Sequence, residues 1–185
     1  MCCLEYFHRH GPRTVNILAS DISTRVLDVA VAGIYPVSAI HHLPVHFKKR
    51  YFQKGQHKKA LYVRVKPELR QYIKFSHINL MNPFPFKRRF DVIFCRNVMI
   101  YFQKTVQECL VEKYYDSLKP SGYLFIGHSE TLMGKTHQFK YIMPTVYVKE
   151  WGGGVGRNEV PDTVQGLLLN MAITEMYIQP ELGEF

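Results

Sequence analysis

Apolar positions along this chain follow two periods, and the most informative segment is Phe90–Phe102. Phe90-Asp91-Val92-Ile93-Phe94-Cys95 is an apolar run with an acid at its foot. Such a run reads as a strand buried on both faces of a parallel sheet. Arg96 and Asn97 interrupt it where the strand should end, and Tyr101 follows a few residues on. Ligands of open α/β sheets sit beyond the carboxyl ends of the strands. The segment therefore predicts a core strand that presents a cation, an amide and a phenol to a binding crevice.

The rest of the chain is patterned around that strand. Residues 1–12 are mixed and end in Gly11-Pro12, which stops any helix. Val15–Ala19 reads as a short strand leading to Ser20-Asp21-Ile22-Ser23. Ser23 is a good N-cap for the helical spacing of Val26, Leu27, Val29, Ala30 and Val31, and Gly33-Ile34-Tyr35-Pro36 closes that helix. Leu61–Lys66 alternates, as an exposed antiparallel strand does, and Gln71–Phe75 reads as another short strand. Asn79 falls just past a strand end, and Pro83 and Pro85 mark a loop. Gln103–Leu118 has helical spacing, with Val106, Cys109, Leu110, Lys113 and Tyr114 along one side. After a turn at Lys119–Gly122, Tyr123–Gly127 is a second buried strand with His128-Ser129-Glu130 at its crevice end. Phe139–Ile142 and Val146–Lys149 read as a hairpin. A Gly-rich break at Trp151–Gly156 precedes a modest amphipathic helix at Leu167–Ile178. This order of elements is that of an α/β doubly wound fold.

Charge changes the picture of the middle of the chain. The net charge is +9, and residues 41–75 alone carry +9, from ten Lys or Arg and one acid, Glu68. The body is neutral and carries one basic insert, which points to an acidic partner surface. His41, His42, His46 and His57 have no Cys or carboxylate at ligand spacing, so the insert predicts no metal site. Cys2, Cys3, Cys95 and Cys109 include no pair with zinc-finger spacing and read as reduced cytosolic thiols. With no signal-like segment and no apolar run of about 18 residues, the chain is expected to be soluble and cytoplasmic.

Four strand ends bear the candidate chemistry: Asp21, Asn79, Arg96-Asn97 and His128-Ser129-Glu130. Asp21 suits the hydroxyls of a ribose, although a cap or turn is the commoner role for an Asp so placed. An acid, an amide and a cation together suit a nucleoside bearing an amino acid.

Phe90–Phe102, with Ala19-Ser20-Asp21-Ile22-Ser23-Thr24, Tyr51-Phe52, Asn79-Leu80, Leu118–Gly122 and Gly127-His128-Ser129-Glu130, resembles the chemotaxis receptor-glutamate methyltransferase family, CheR. The resemblance covers roughly residues 15–149, and Cys95–Phe102 is its most specific block. It implies a class I S-adenosylmethionine-dependent (Rossmann-like) fold with a small antiparallel β-insert at 41–75. It implies formation of methyl esters on receptor glutamates. Asp21 would hold the ribose, Asn79 and Leu80 would flank the adenosine, and Arg96 and Asn97 would line the cofactor site. Arg96 and Tyr101 are the residues assigned to catalysis, Tyr101 near the transferred methyl. The insert would dock methyl-accepting receptors, with no nucleic-acid partner and no membrane insertion, and the chain would act as a monomer. Residues 1–150 would form a partial catalytic domain, and 151–185 a linker and tail.

The family's N-terminal helical domain and first strand, with its Gly-rich, Glu-containing loop, have no counterpart before Val15. The run Gly152–Gly156 lacks that Glu and reads as a linker. Three other readings follow: an inactive receptor-binding remnant of the same family, nucleic-acid binding through the insert, and, for the fold alone, a nicotinamide dehydrogenase.

Overall fold

Ser23 and Gly33 bracket a helix, as their spacing predicts. In the computed structural model, which describes residues 1–11 and 14–150, the Ser23 hydroxyl accepts from the Val26 N–H at 3.3 Å. Gly33 adopts the left-handed conformation at φ 64° and donates its N–H to the Val29 carbonyl. The described residues fall into two units, Met1–Asn79 and the residues from Leu80 onward.

The first unit begins with helix α1 (Cys2–His10), where the sequence reading expects no element. Its Glu5 is buried and takes the Tyr51 hydroxyl at 2.8 Å and the Arg50 guanidinium at 3.1 Å. Strand β1 (Ile17–Asp21) leads into helix α2 (Thr24–Ala32). Strand β2 (Ile34–Pro36), a 3₁₀ turn at Val37–Ile40, helix α3 (Val45–Tyr51), strand β3 (Phe52–Lys54) and strand β4 (Tyr62–Val65) follow. Strands β2, β4 and β3 form an antiparallel sheet in that order, with β4 central. Val63 of β4 is buried with Ile40 and Leu43, while Tyr62 and Arg64 face outward, so the alternation in this strand is real. Helix α4 (Pro67–Arg70) then packs Leu69 against Phe47 and Tyr51.

Two expectations for the insert need correcting. Its sheet recruits Ile34–Pro36, upstream of residue 41. The strand expected at 71–75 is β5 (Ile73–His77), which leaves the insert and pairs in parallel with β1 from Ile17–Ile73 to Asp21–His77.

In the second unit, strand β6 (Phe90–Cys95), helix α5 (Lys104–Ser117) and strand β7 (Leu118–Ile126) form a parallel β–α–β unit. Strands β8 (Lys140–Met143) and β9 (Val146–Val148) complete a sheet of order β6-β7-β9-β8. The expected turn at Lys119–Gly122 lies inside β7 as an irregularity. Register jumps from Phe90–Leu118 to Val92–Tyr123, and Ser121 has φ 62°. Leu110, Val111 and Tyr114 of α5 pack with Leu118, Leu124 and Ile126 of β7 into one core. Cys109, expected on the buried side, is exposed, and the buried face is made by Leu110, Val111 and Tyr114.

The strand expected to be buried on both faces is only partly so. Cys95 is buried, but Asp91 is exposed and Phe94 is 47% exposed, its ring set against Phe125 at 4.8 Å. Among the described residues β6 has a partner on one side only, β7. No helix of the described residues is long and apolar enough to cross a membrane. The helix expected at Leu167–Ile178 and the Gly-rich break at 151–156 lie outside the described residues.

Candidate functional site

Parallel pairing of β1 with β5 sets one group of candidate residues. The register places Asp21 opposite His77, so Asp21 and the segment holding Asn79 leave the same carboxyl edge. Asp21 Oδ1 accepts from the Ser23 N–H at 2.7 Å, a turn that delivers the chain to α2. Its backbone carbonyl takes the Ile78 N–H at 3.1 Å, which ties the two strand ends together. Asp21 thus has the turn role that competes with ribose binding in the sequence reading, and its carboxylate is held at the edge by it. Asn79 is half-buried beside the buried Ile78.

The second group follows β6. Arg96 is half-buried and donates from Nε to the Ile126 carbonyl at 3.3 Å, reaching from the end of β6 to the end of β7. Burial pulls its guanidinium below the ordinary value, and the Glu130 carboxylate opposes that shift. Asn97 is left-handed at φ 56°, a conformation that Asn tolerates better than most non-glycine residues. A 3₁₀ turn at Met99–Tyr101 comes next. Met99 is buried and anchors it, while the Tyr101 ring is 77% exposed.

Two side chains hold this loop, and a third holds the segment at Leu80–Asn82. Glu130 is buried and accepts from four backbone N–H groups: Asn97 at 3.1 Å, Val98 at 2.9 Å, Met99 at 2.7 Å and Gly127 at 2.5 Å. Gln107 of α5 donates from Nε2 to the carbonyls of Met99 at 2.9 Å and Phe102 at 2.8 Å. Lys113, two turns further along α5, donates to the carbonyls of Leu80, Met81 and Asn82 at 3.0, 2.9 and 3.2 Å. The Leu80 side chain packs on the core of this unit. Gly127 leaves room that no other residue could: a Cβ there would lie 2.6 Å from Asn97 Oδ1 and 2.8 Å from Glu130 Oε2.

The sequence reading places Glu130 at the crevice with His128 and Ser129. His128 and Ser129 are exposed there, but Glu130 turns inward and is taken up by amides. Gln107 and Lys113 also escape sequence reasoning, because a polar residue on a helix carries no sign that it will cap a distant loop. The Glu130 N–H closes a turn on the Gly127 carbonyl at 3.0 Å, which brings its side chain back toward the loop. Cys95 is no nucleophile: burial pushes its thiol up to about 11, and the Tyr114 hydroxyl donates to its Sγ at 3.0 Å.

In chemical terms, the first unit offers a carboxylate and an amide at one strand edge. The second offers a guanidinium, an amide and a phenol on a loop whose backbone is held from both sides. Hydroxyls and a carboxylate are the complementary groups.

Comparison with known proteins agrees with the motif. Residues 1–148 match the family described as CheR methyltransferase, SAM binding domain. The chain is 46% identical over 151 residues to the chemotaxis protein methyltransferase of Borreliella burgdorferi, covering 80% of this chain and 52% of that protein. It is 43% identical over 134 residues to chemotaxis protein methyltransferase 2 of Pseudomonas aeruginosa (72% and 48%). It is 39% identical over 138 residues to the Escherichia coli chemotaxis protein methyltransferase (74% and 48%). The chain spans about half the length of the curated relatives it matches. A solved N-methyltransferase, NodS from Bradyrhizobium japonicum in complex with S-adenosyl-L-homocysteine, is a distant neighbour with a TM-score of 0.37 and 15% identity, over 60% of this chain and 40% of that one. A match over residues 1–148 and identities above 40% with two chemotaxis methyltransferases lead to one conclusion: this chain belongs to the CheR methyltransferase family and carries its SAM-binding domain.

Proposed function

We propose that this chain binds S-adenosylmethionine and takes part in methylating glutamate side chains of chemotaxis receptors. The observation that supports this best is the loop Arg96–Tyr101, which presents the family's specific motif on a backbone held by Glu130 and Gln107. By residue chemistry alone, Asp21 suits ribose hydroxyls, Asn79 and Leu80 the adenosine, and Arg96 with Asn97 the polar groups of the amino-acid part. When bound, S-adenosylmethionine supplies a methyl activated by its own sulfonium.

The protein therefore needs no nucleophile of its own. A receptor glutamate is already ionised at neutral pH, so no strong base is needed either. What remains for this chain is to orient the acceptor carboxylate and exclude water from it. Tyr101 and Arg96 are assigned to that end, a phenol and a cation able to contact a carboxylate. An ester product is labile in base, which defines the assay. Incubation with methyl-labelled cofactor and a soluble receptor fragment is expected to give base-labile label, reduced at least about tenfold by Arg96→Ala. Base-stable label, or label unaffected by that change, contradicts the assignment.

The partner reading rests on the insert. Lys54, Lys58, Lys59 and Arg64 are all exposed on or beside the β2-β4-β3 sheet. Such a surface suits an acidic receptor segment. A second reading, a receptor-binding module without catalysis, uses the same surface and predicts receptor binding with no methyl transfer. In both readings Lys58→Glu with Lys59→Glu weakens binding to a receptor fragment at low salt; unchanged affinity in that double variant contradicts both.

A further inference from the structure

We propose that Glu130 is a positioning residue. It lines no ligand, but its carboxylate fixes the backbone of Asn97, Val98 and Met99 and thereby sets the affinity of the Arg96-Asn97 loop for the cofactor. The cofactor half of this inference rests on the function proposed above; the loop half does not.

An ionised carboxylate accepts at about four lone-pair sites and donates nothing. In Glu130 four N–H groups occupy it, Val98 and Met99 on Oε1 and Asn97 and Gly127 on Oε2. Three consecutive amides aimed at one point form a concave anion-binding arrangement. Here the chain's own side chain is the anion. Bonds from N–H groups to a buried charge are stronger than neutral ones, and loss of the acceptor leaves donors unsatisfied. Asn97 is the residue that most needs such restraint, since it sits at φ 56°. Glu130 can reach it only because Gly127 has no side chain: a Cβ there would meet Asn97 N at 2.9 Å as well as the Glu130 carboxylate. Gly127 and Glu130 therefore work as one device, spaced three apart on the turn after β7.

The test uses the full chain and Glu130→Gln, which keeps size and replaces one acceptor oxygen with a donor. Amide hydrogen exchange is read by NMR at Asn97, Val98 and Met99, with Leu124 of the core as internal reference. Calorimetry with S-adenosylhomocysteine reads affinity. Val111→Ala, a core change away from the loop, serves as a control that lowers stability alone. The expected result is exchange at the three amides faster by about tenfold or more, with the dissociation constant raised by a similar factor, roughly what one charge-assisted hydrogen bond controls. The Val111→Ala control is expected to lose melting temperature with its affinity intact.

Unchanged exchange at residues 97–99 overturns the clamp. Faster exchange with wild-type affinity overturns the link to the cofactor. A wild-type chain that binds no S-adenosylhomocysteine overturns the functional reading and the cofactor half together, and exchange alone then decides the loop half. If Glu130→Gln does not fold, Glu130→Asp is used. It keeps the charge on a shorter arm and is expected to show faster exchange at the same three amides; exchange unchanged in that variant overturns the clamp equally.

Discussion

Cys95 stands directly before the polar residues of the loop, and its burial has a consequence that can be measured. Its thiol is held at about 11, above the ordinary 9.0, chiefly because burial disfavours the thiolate. The folded state keeps a proton that the unfolded chain gives up above pH 9. This contribution is full below pH 9 and is lost as pH rises through 11. Denaturant melts are expected to show wild type losing on the order of 2 kcal/mol more than Cys95→Ala across that window. Parallel losses in the two proteins contradict this. Arg96, Asn97 and Tyr101 stood out in the sequence because polar residues interrupted an apolar run. Glu130 did not stand out in its actual role. A carboxylate bound to backbone amides and one offered to a ligand look the same in a sequence, since the partners are main-chain atoms 31 to 33 residues away.

Helix α2 shows what local chemistry makes legible. Its start and stop are set within a dozen residues by a hydroxyl cap and a left-handed glycine, and both signals are local. Ser23→Ala is expected to cost about 1 kcal/mol in urea melts. Gly33→Ala is expected to cost a similar amount, about 1 kcal/mol, because φ 64° penalises a Cβ. A Ser23→Ala variant as stable as wild type would place the start signal elsewhere. Helix α3 was hidden for the opposite reason. Its run Val45-His46-Phe47-Lys48-Lys49-Arg50-Tyr51 reads as charge, yet Phe47 and Tyr51, four apart, supply one buried face. The pairing of β5 was also out of reach. Period-2 pattern marks a strand, but it does not say whether the partner is the neighbouring β4 or β1, more than 50 residues back. Parallel pairing is non-local and leaves no turn signature.

At the scale of the molecule, family and α/β class were legible because the motif is dense and the strand-helix-strand order survives in Phe90–Ile126. The degree of burial was not. An apolar run shows what a strand can bury, and the chain's other elements decide what it does bury. The balance of charge was legible and makes an expectation for the whole chain. Net charge of +9 concentrated in residues 41–75 predicts that the proposed receptor docking weakens as salt rises, within the range where the screening length falls from about 10 to 3 Å. Affinity insensitive to salt would remove the insert from the interface. We propose that Arg96 and Asn97 hold S-adenosylmethionine on a fixed loop, and titration of S-adenosylhomocysteine into the chain is the sharpest check. The account predicts saturable heat for the wild type and affinity at least about tenfold weaker for Asn97→Ala. No saturable heat up to about 1 mM ligand, or Asn97→Ala binding as tightly as wild type, would contradict it.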